Sequence, residues 1–151
     1  MLRVSKLADY AVVVLVKLAA DNDCVDCGVQ TSPSLAASTG VPEPTVAKVL
    51  KALSMSGLVL SQRGARGGYR LQRPLETISI AEVIAAIDGP IALTACVDGA
   101  SSGCEVQRMC AVHGRWDLVN DAIRDALNRI TLSEMRAAGI PAFLRTLTPA
   151  E

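Results

Sequence analysis

Aromatic side chains are scarce in this chain of 151 residues: one Trp, two Tyr and one Phe, 3% in all. That scarcity argues against a carbohydrate-binding cleft and against a platform for stacking single-stranded bases, which needs several exposed rings. Histidine occurs once, which leaves little equipment for acid–base catalysis, and an enzyme is not expected. Long apolar runs are missing too. The longest aliphatic stretch, residues 11–16, stops at Lys17, far short of the roughly 20 residues of a membrane helix. The opening residues MLRVSKLADY lack the basic start, apolar centre and small-residue cleavage site of a secretory signal. A reducing cytoplasm is the expected compartment, and there the five cysteines read as ligands or redox groups before disulfides.

Net charge is also absent, 15 Lys+Arg balancing 15 Asp+Glu, but the sum hides a split. Residues 1–73 carry nine basic against five acidic side chains, and residues 74–151 carry six against ten. A basic first half suggests contact with a polyanion if its charges share a face. Half of the residues are hydrophobic, so the body of the chain is expected to fold as one main domain with appendages.

Between residues 5 and 20, Leu7, Ala11, Val14, Leu15 and Leu18 recur at helical spacing. Val12, Val13 and Val16 widen the stripe almost all round, which predicts a helix buried on more than one side. The segment DNDCVDCGVQ breaks the pattern and reads as a loop. Ser32 is the expected N-cap of a short helix, with Pro33 at its first position and Gly40 closing it. A second helix follows at about Pro44 and runs to Gly57, with Val46, Val49, Leu50 and Leu53 as its buried face. Thr45, Lys48 and Lys51 fall away from that face. The run LVLS, the glycine-rich QRGARGG and then YRLQR read as a two-stranded hairpin carrying Arg63, Arg66, Arg70 and Arg73. Two helices joined by a tight turn and followed by a basic hairpin describe a winged helix-turn-helix, mostly α with a small β wing. Six basic residues and one acid, Glu43, lie between positions 41 and 73, so the elements that would face double-stranded DNA carry the positive charge. Thr45, Lys48, Lys51, Arg63, Arg66 and Arg70 are the candidate DNA contacts. Tyr69 is expected to pack the wing onto the domain.

Ser79 and Glu82 form a capping-box pattern for a helix over AEVIAAID, ended by Gly89 and Pro90. Beyond an irregular stretch, Trp116, Val119, Ile123, Ala126, Leu127 and Ile130 trace one face of an amphipathic helix. A second copy of the chain is the economical partner for that stripe, which predicts a homodimer. Thr131 and Glu134 suggest one more capped turn. The expected organisation is a DNA-binding domain over residues 1–90, a cysteine-rich loop over 91–114, a dimerisation helix region over 115–135 and a loosely held tail over 136–151.

The irregular stretch holds Cys96, Cys104, Cys110 and the single histidine, His113, in the spacing C-x7-C-x5-C-x2-H. Small residues between the first two cysteines let the loop wrap an ion or cluster. Such a thiolate-rich set suits zinc, copper(I) or an iron-sulfur centre. Cys24 and Cys27 form a separate C-x-x-C. It lacks the strand–helix–strand setting of a thiol oxidoreductase, so ordinary reduced thiols are the simpler reading.

Taken together, SKLADYAVVVL, the helix and wing GLVLSQRGARGGYRL, the cap SIAEVIAAIDGPIALTAC and the C/C/C/H pattern resemble the IscR-type family of winged-helix iron-sulfur regulators. Within that family the likeness is greatest to regulators of the SUF iron-sulfur assembly operon. The similarity runs through roughly residues 1–135 in unbroken order. It implies a dimeric, cytoplasmic repressor of cluster-assembly genes. It also implies that Cys96, Cys104 and Cys110 bind an iron-sulfur cluster with His113 as fourth ligand, as a 2Fe-2S rather than a 4Fe-4S centre. The first cysteine gap is longer here than in IscR, and SUF-type members often lack the histidine. In related nitric oxide sensors an aspartate in the place of Asp9 is the ligand, so Asp9 stands as the alternative, and a nitric oxide or redox sensor as the alternative function. A zinc-stabilised DNA-binding module is the reading that the donor set alone leaves open.

Overall fold

The computed structural model describes residues 3–20, 28–97 and 109–137. Its first helix, α1 (Lys6–Ala20), begins where the Ser5 hydroxyl accepts the Ala8 N–H at 3.1 Å. Ala8, Ala11, Val14, Leu15 and Leu18 are buried along it, and α1 packs against α2 (Ser32–Thr39), α3 (Glu43–Met55), α4 (Ile80–Asp88), α6 (Leu132–Arg136) and the second strand of the wing. It is thus the central strut of the fold. The burial is not all round, however: Val13 is 39% exposed and lies on a groove left open along the helix.

The next helix, α2 (Ser32–Thr39), is capped one residue earlier than the sequence pattern suggests. Thr31 has the extended backbone of a cap, and its hydroxyl accepts the Ser34 N–H at 3.3 Å. Ser32 is already helical. Gly40, at φ 74°, closes the helix in the left-handed conformation that only glycine adopts cheaply. After Val41 and Pro42 the chain enters α3 (Glu43–Met55), whose buried face is Val46, Val49, Leu50 and Leu53 as expected. The antiparallel pair β1 (Val59–Gln62) and β2 (Gly68–Leu71) follows, in the register Val59↔Leu71 to Gln62↔Gly68. Tyr69 packs against the core from β2. It also exchanges both backbone hydrogen bonds with Gln30, at 2.9 and 2.7 Å, so one residue upstream of α2 serves as a partial third strand.

A single 3-10 turn, Leu75–Thr77, leads to α4 (Ile80–Asp88), where Ser79 and Glu82 complete both bonds of the capping box. Gly89 ends the helix. The helix α5 (Trp116–Asn128) lies on α4, and α6 (Leu132–Arg136) opens with a second capping box, Thr131 with Glu134. Residues 130–132, within the stretch expected as the dimerisation region, pack back on the winged domain. Ile130 accepts the Ile80 N–H, Leu132 donates to Ile78 O, and the Leu132 side chain is fully buried in the common core. Among the described residues no helix is long and apolar enough to cross a membrane.

Candidate nucleic-acid interface and ligand loop

Burial of one face of α3 fixes what the other face offers. With Val46, Val49, Leu50 and Leu53 inward, Pro44, Ala47, Lys48, Lys51 and Met55 are exposed, Met55 to 81%. Thr45 is half-buried in the first turn, where its N–H meets Pro42 O at 2.9 Å. The sequence pattern misses Pro44 and Ala47 as members of this surface. Periodicity marks them as non-core, but neither carries a charge or amide to draw notice, although an alanine methyl is a fitting contact for a thymine methyl. On the wing, Arg63 and Arg66 stand at the exposed tip and Arg70 on the exposed side of β2. Lys48, Lys51, Arg63, Arg66 and Arg70 form no salt bridge with a described residue, so among the described residues no carboxylate competes with phosphates for their charges.

Arg73 differs. Its guanidinium donates to Glu82 at 2.6 Å and to Thr77 O at 3.3 Å, which turns it from the wing toward the start of α4. Burial raises the proton affinity of Glu82. The Ser79 N–H donated to its carboxylate and the adjacent Arg73 outweigh that effect and hold Glu82 below its ordinary pKa.

The candidate ligand loop begins beyond α4. Cys96 is half-buried with its Sγ 3.2 Å from the Thr94 hydroxyl. Cys110 is half-buried and His113 exposed, and the two share one turn in which His113 N–H donates to Cys110 O at 3.3 Å. Cys104 lies outside the described residues, as do Cys24 and Cys27. Among the described residues no three His, Cys, Asp or Glu side chains gather where they could hold a metal ion. The chemistry of the donor set, three thiols and an imidazole on the segment between the winged domain and α5, fits an iron-sulfur cluster as it fits zinc. Asp9 is exposed on the first turn of α1 and lines an open groove of about 380 Å³ with Val4, Val12, Ile80, Ile84 and Met135.

A helix-turn-helix whose second helix shows a basic face, followed by a basic two-stranded wing, defines a winged-helix DNA-binding protein. The family model for Rrf2, described as iron-dependent transcriptional regulator, matches residues 4–138. The chain belongs to the Rrf2 family: it is a transcriptional regulator and not an enzyme. It is 33% identical over 149 residues to a helix-turn-helix regulator of Mycobacterium tuberculosis, covering 97% of this chain and 88% of that one. To the transcriptional regulator IscR of Escherichia coli it is 28% identical over 134 residues, covering 89% and 80%. Among solved structures it resembles CymR, the global cysteine regulator of B. subtilis, with TM-score 0.66 at 26% identity over 90% of this chain and 97% of that one. The IscR of T. potens matches with TM-score 0.64 at 25% identity, covering 95% and 96%.

Proposed function

We propose that this regulator is a cytoplasmic, homodimeric repressor of iron-sulfur cluster assembly genes that senses cluster status through Cys96, Cys104, Cys110 and His113. The observation that carries the reading is the C-x7-C-x5-C-x2-H set on the one segment that joins the winged domain to α5. The likeness to IscR supports a 2Fe-2S centre, whose presence when bound would follow iron and sulfur supply and oxidative damage. Thr45, Lys48 and Lys51 approach the major groove from α3, while Arg63, Arg66 and Arg70 meet phosphates or the minor groove from the wing. With the donors engaged, the two α5 helices of a dimer hold the recognition helices at a fixed spacing. Half-sites about 34 Å apart, or a multiple of that, then bind both copies together. With the donors free the spacing relaxes and repression lifts, a coupling that acts in both directions.

The exposure of Asp9 beside a groove that a second copy could enter favours one alternative, a nitric oxide or redox sensor in which Asp9 is the fourth ligand. The test is the visible spectrum of anaerobically purified protein, with iron and sulfide counted on the same sample. Visible bands with matched iron and sulfide are expected, at two of each per chain. Loss of the bands in Asp9→Ala with retention in His113→Ala selects the alternative. A colourless protein that holds zinc and resists anaerobic reconstitution overturns both.

A further inference from the structure

The polar residue Asn120 is the one buried side chain of α5, only 2% exposed. Packing alone calls for an aliphatic residue there, and asparagine is a poor helix former. Its carboxamide explains the choice. Oδ1 accepts the Leu93 N–H and Nδ2 donates to Ile91 O, each at 3.0 Å, so the side chain pairs with the backbone as a neighbouring strand would. Among the described residues these two are the hydrogen bonds that join the segment 90–97 to the segment 109–128.

The position of that clamp in the chain matters. Three residues past Leu93 comes Cys96, in a short turn closed by Val97 N–H to Thr94 O at 3.5 Å and anchored by the buried Val97. One helical turn before Asn120, α5 begins, immediately after the turn that holds Cys110 and His113. The clamp therefore spans the two arms that carry the outer donors of the ligand set.

We propose that Asn120 is a positioning residue: its carboxamide sets the separation of the Cys96 arm from the Cys110–His113 arm. The proposal rests on the donor set of the proposed function, but the clamp can be tested without a cluster. An aliphatic residue of similar size fills the space and satisfies neither backbone group. Aspartate keeps the acceptor for Leu93 and loses the donor for Ile91.

The experiment uses the full-length protein, reduced and metal-free, as wild type, Asn120→Leu and Asn120→Asp. Alkylation of Cys96 and Cys110 by iodoacetamide is followed by peptide mass spectrometry, and Co2+ is titrated by its thiolate charge-transfer absorbance. In Asn120→Leu with wild-type circular dichroism, Cys96 should react about tenfold faster while Cys110 is unchanged, the factor expected for losing one to two net hydrogen bonds from a local opening equilibrium. Cobalt affinity should fall by about the same factor. Where the leucine variant fails to fold, Asn120→Asp decides, with Cys96 alkylation at least about threefold faster, since the donor to Ile91 O is lost and a carboxylate oxygen stands against that carbonyl. Wild-type rates and cobalt affinity in a folded variant overturn the proposal, as does equal acceleration at both cysteines, or faster Cys96 alkylation with cobalt affinity unchanged. A wild type that takes up neither cobalt nor cluster, while Asn120→Leu still exposes Cys96 selectively, keeps the clamp and removes the proposed ligand function.

Discussion

Arg73 carries the same charge as Arg63, Arg66 and Arg70 and follows them within ten residues, yet it is committed to a different task. Its guanidinium reaches Glu82 at 2.6 Å, and Glu82 also accepts the Ser79 N–H that opens α4 at 2.9 Å. The pair therefore ties the exit of the wing to the next helix. Sequence alone could not separate Arg73 from its neighbours, because the partner lies nine residues on and is marked there only as half of a capping box. The electrostatic consequence has a definite sign. Glu82 has its pKa lowered from 4.5 in the folded chain, so its stabilisation is fully present above about pH 4.5 and is lost as pH falls through the lowered folded value. Glu82→Gln keeps an acceptor for the cap and removes the charge. Urea unfolding should show it less stable than wild type by under about 1 kcal/mol at pH 7, since the pair is partly exposed and screened. The difference should shrink progressively below about pH 4.5. A constant difference across that range would show that the charge contributes nothing.

At the scale of elements, what was legible in the sequence was whatever is encoded locally. The core face of α3, the left-handed Gly40, the hairpin and both capping boxes depend on residues within a few positions of each other, and all appear in the structure. The shift of the α2 cap from Ser32 to Thr31 is a local ambiguity, since both residues offer a hydroxyl acceptor and Pro33 tolerates either frame. What could not be read is the pairing of distant segments: Gln30 with Tyr69, and residues 130–132 with 78–80. The candidate site divides in the same way. Periodicity exposes Lys48 and Lys51, and glycine-rich spacing exposes Arg63 and Arg66, but the clamp at Asn120 is invisible without knowing where residues 91–93 run.

The Gln30 pairing makes its own prediction. A Cβ on Gly68 would stand 2.5 Å from Gln30 O and 2.7 Å from the Val29 side chain, closer than real atoms approach. Gly68→Ala should push the segment before α2 off the wing, at a cost of about 1–3 kcal/mol typical of overpacking. Because Arg63, Arg66 and Arg70 keep their charges, the salt dependence of DNA binding should persist while affinity falls with the displaced wing. Thermal unfolding with a salt series of binding titrations tests this. Unchanged stability would mean that the Gln30 bridge contributes nothing to holding the wing.

At the scale of the whole molecule, the most informative surface is the one a single copy leaves uncovered. Along α5, Trp116 is 41% exposed, Val119 43% and Leu118 74%, while Asn120 faces inward. A helix of this length is marginal on its own in water, and one buried amide with a few contacts to α4 is little tertiary support. A second copy packing on Trp116 and Val119 would supply the missing apolar contact, and a symmetric pair of winged domains is what two half-sites one turn apart require. Val119→Glu is placed to separate these roles. It puts a charge in the middle of the stripe, where burial without a partner is costly, yet touches neither the α1–α3 core nor the basic face of α3. Sedimentation should show a monomer for this variant and, on the proposed assembly, a dimer for the wild type. Affinity for a two-half-site operator should drop by at least about tenfold, while binding to a single half-site changes little, since the lost term is the linkage between the two recognition helices. A dimer that survives both Val119→Glu and Trp116→Glu would place the subunit contact elsewhere, and the open groove along α1 beside Asp9, Val12 and Met135 would then be the surface to mutate.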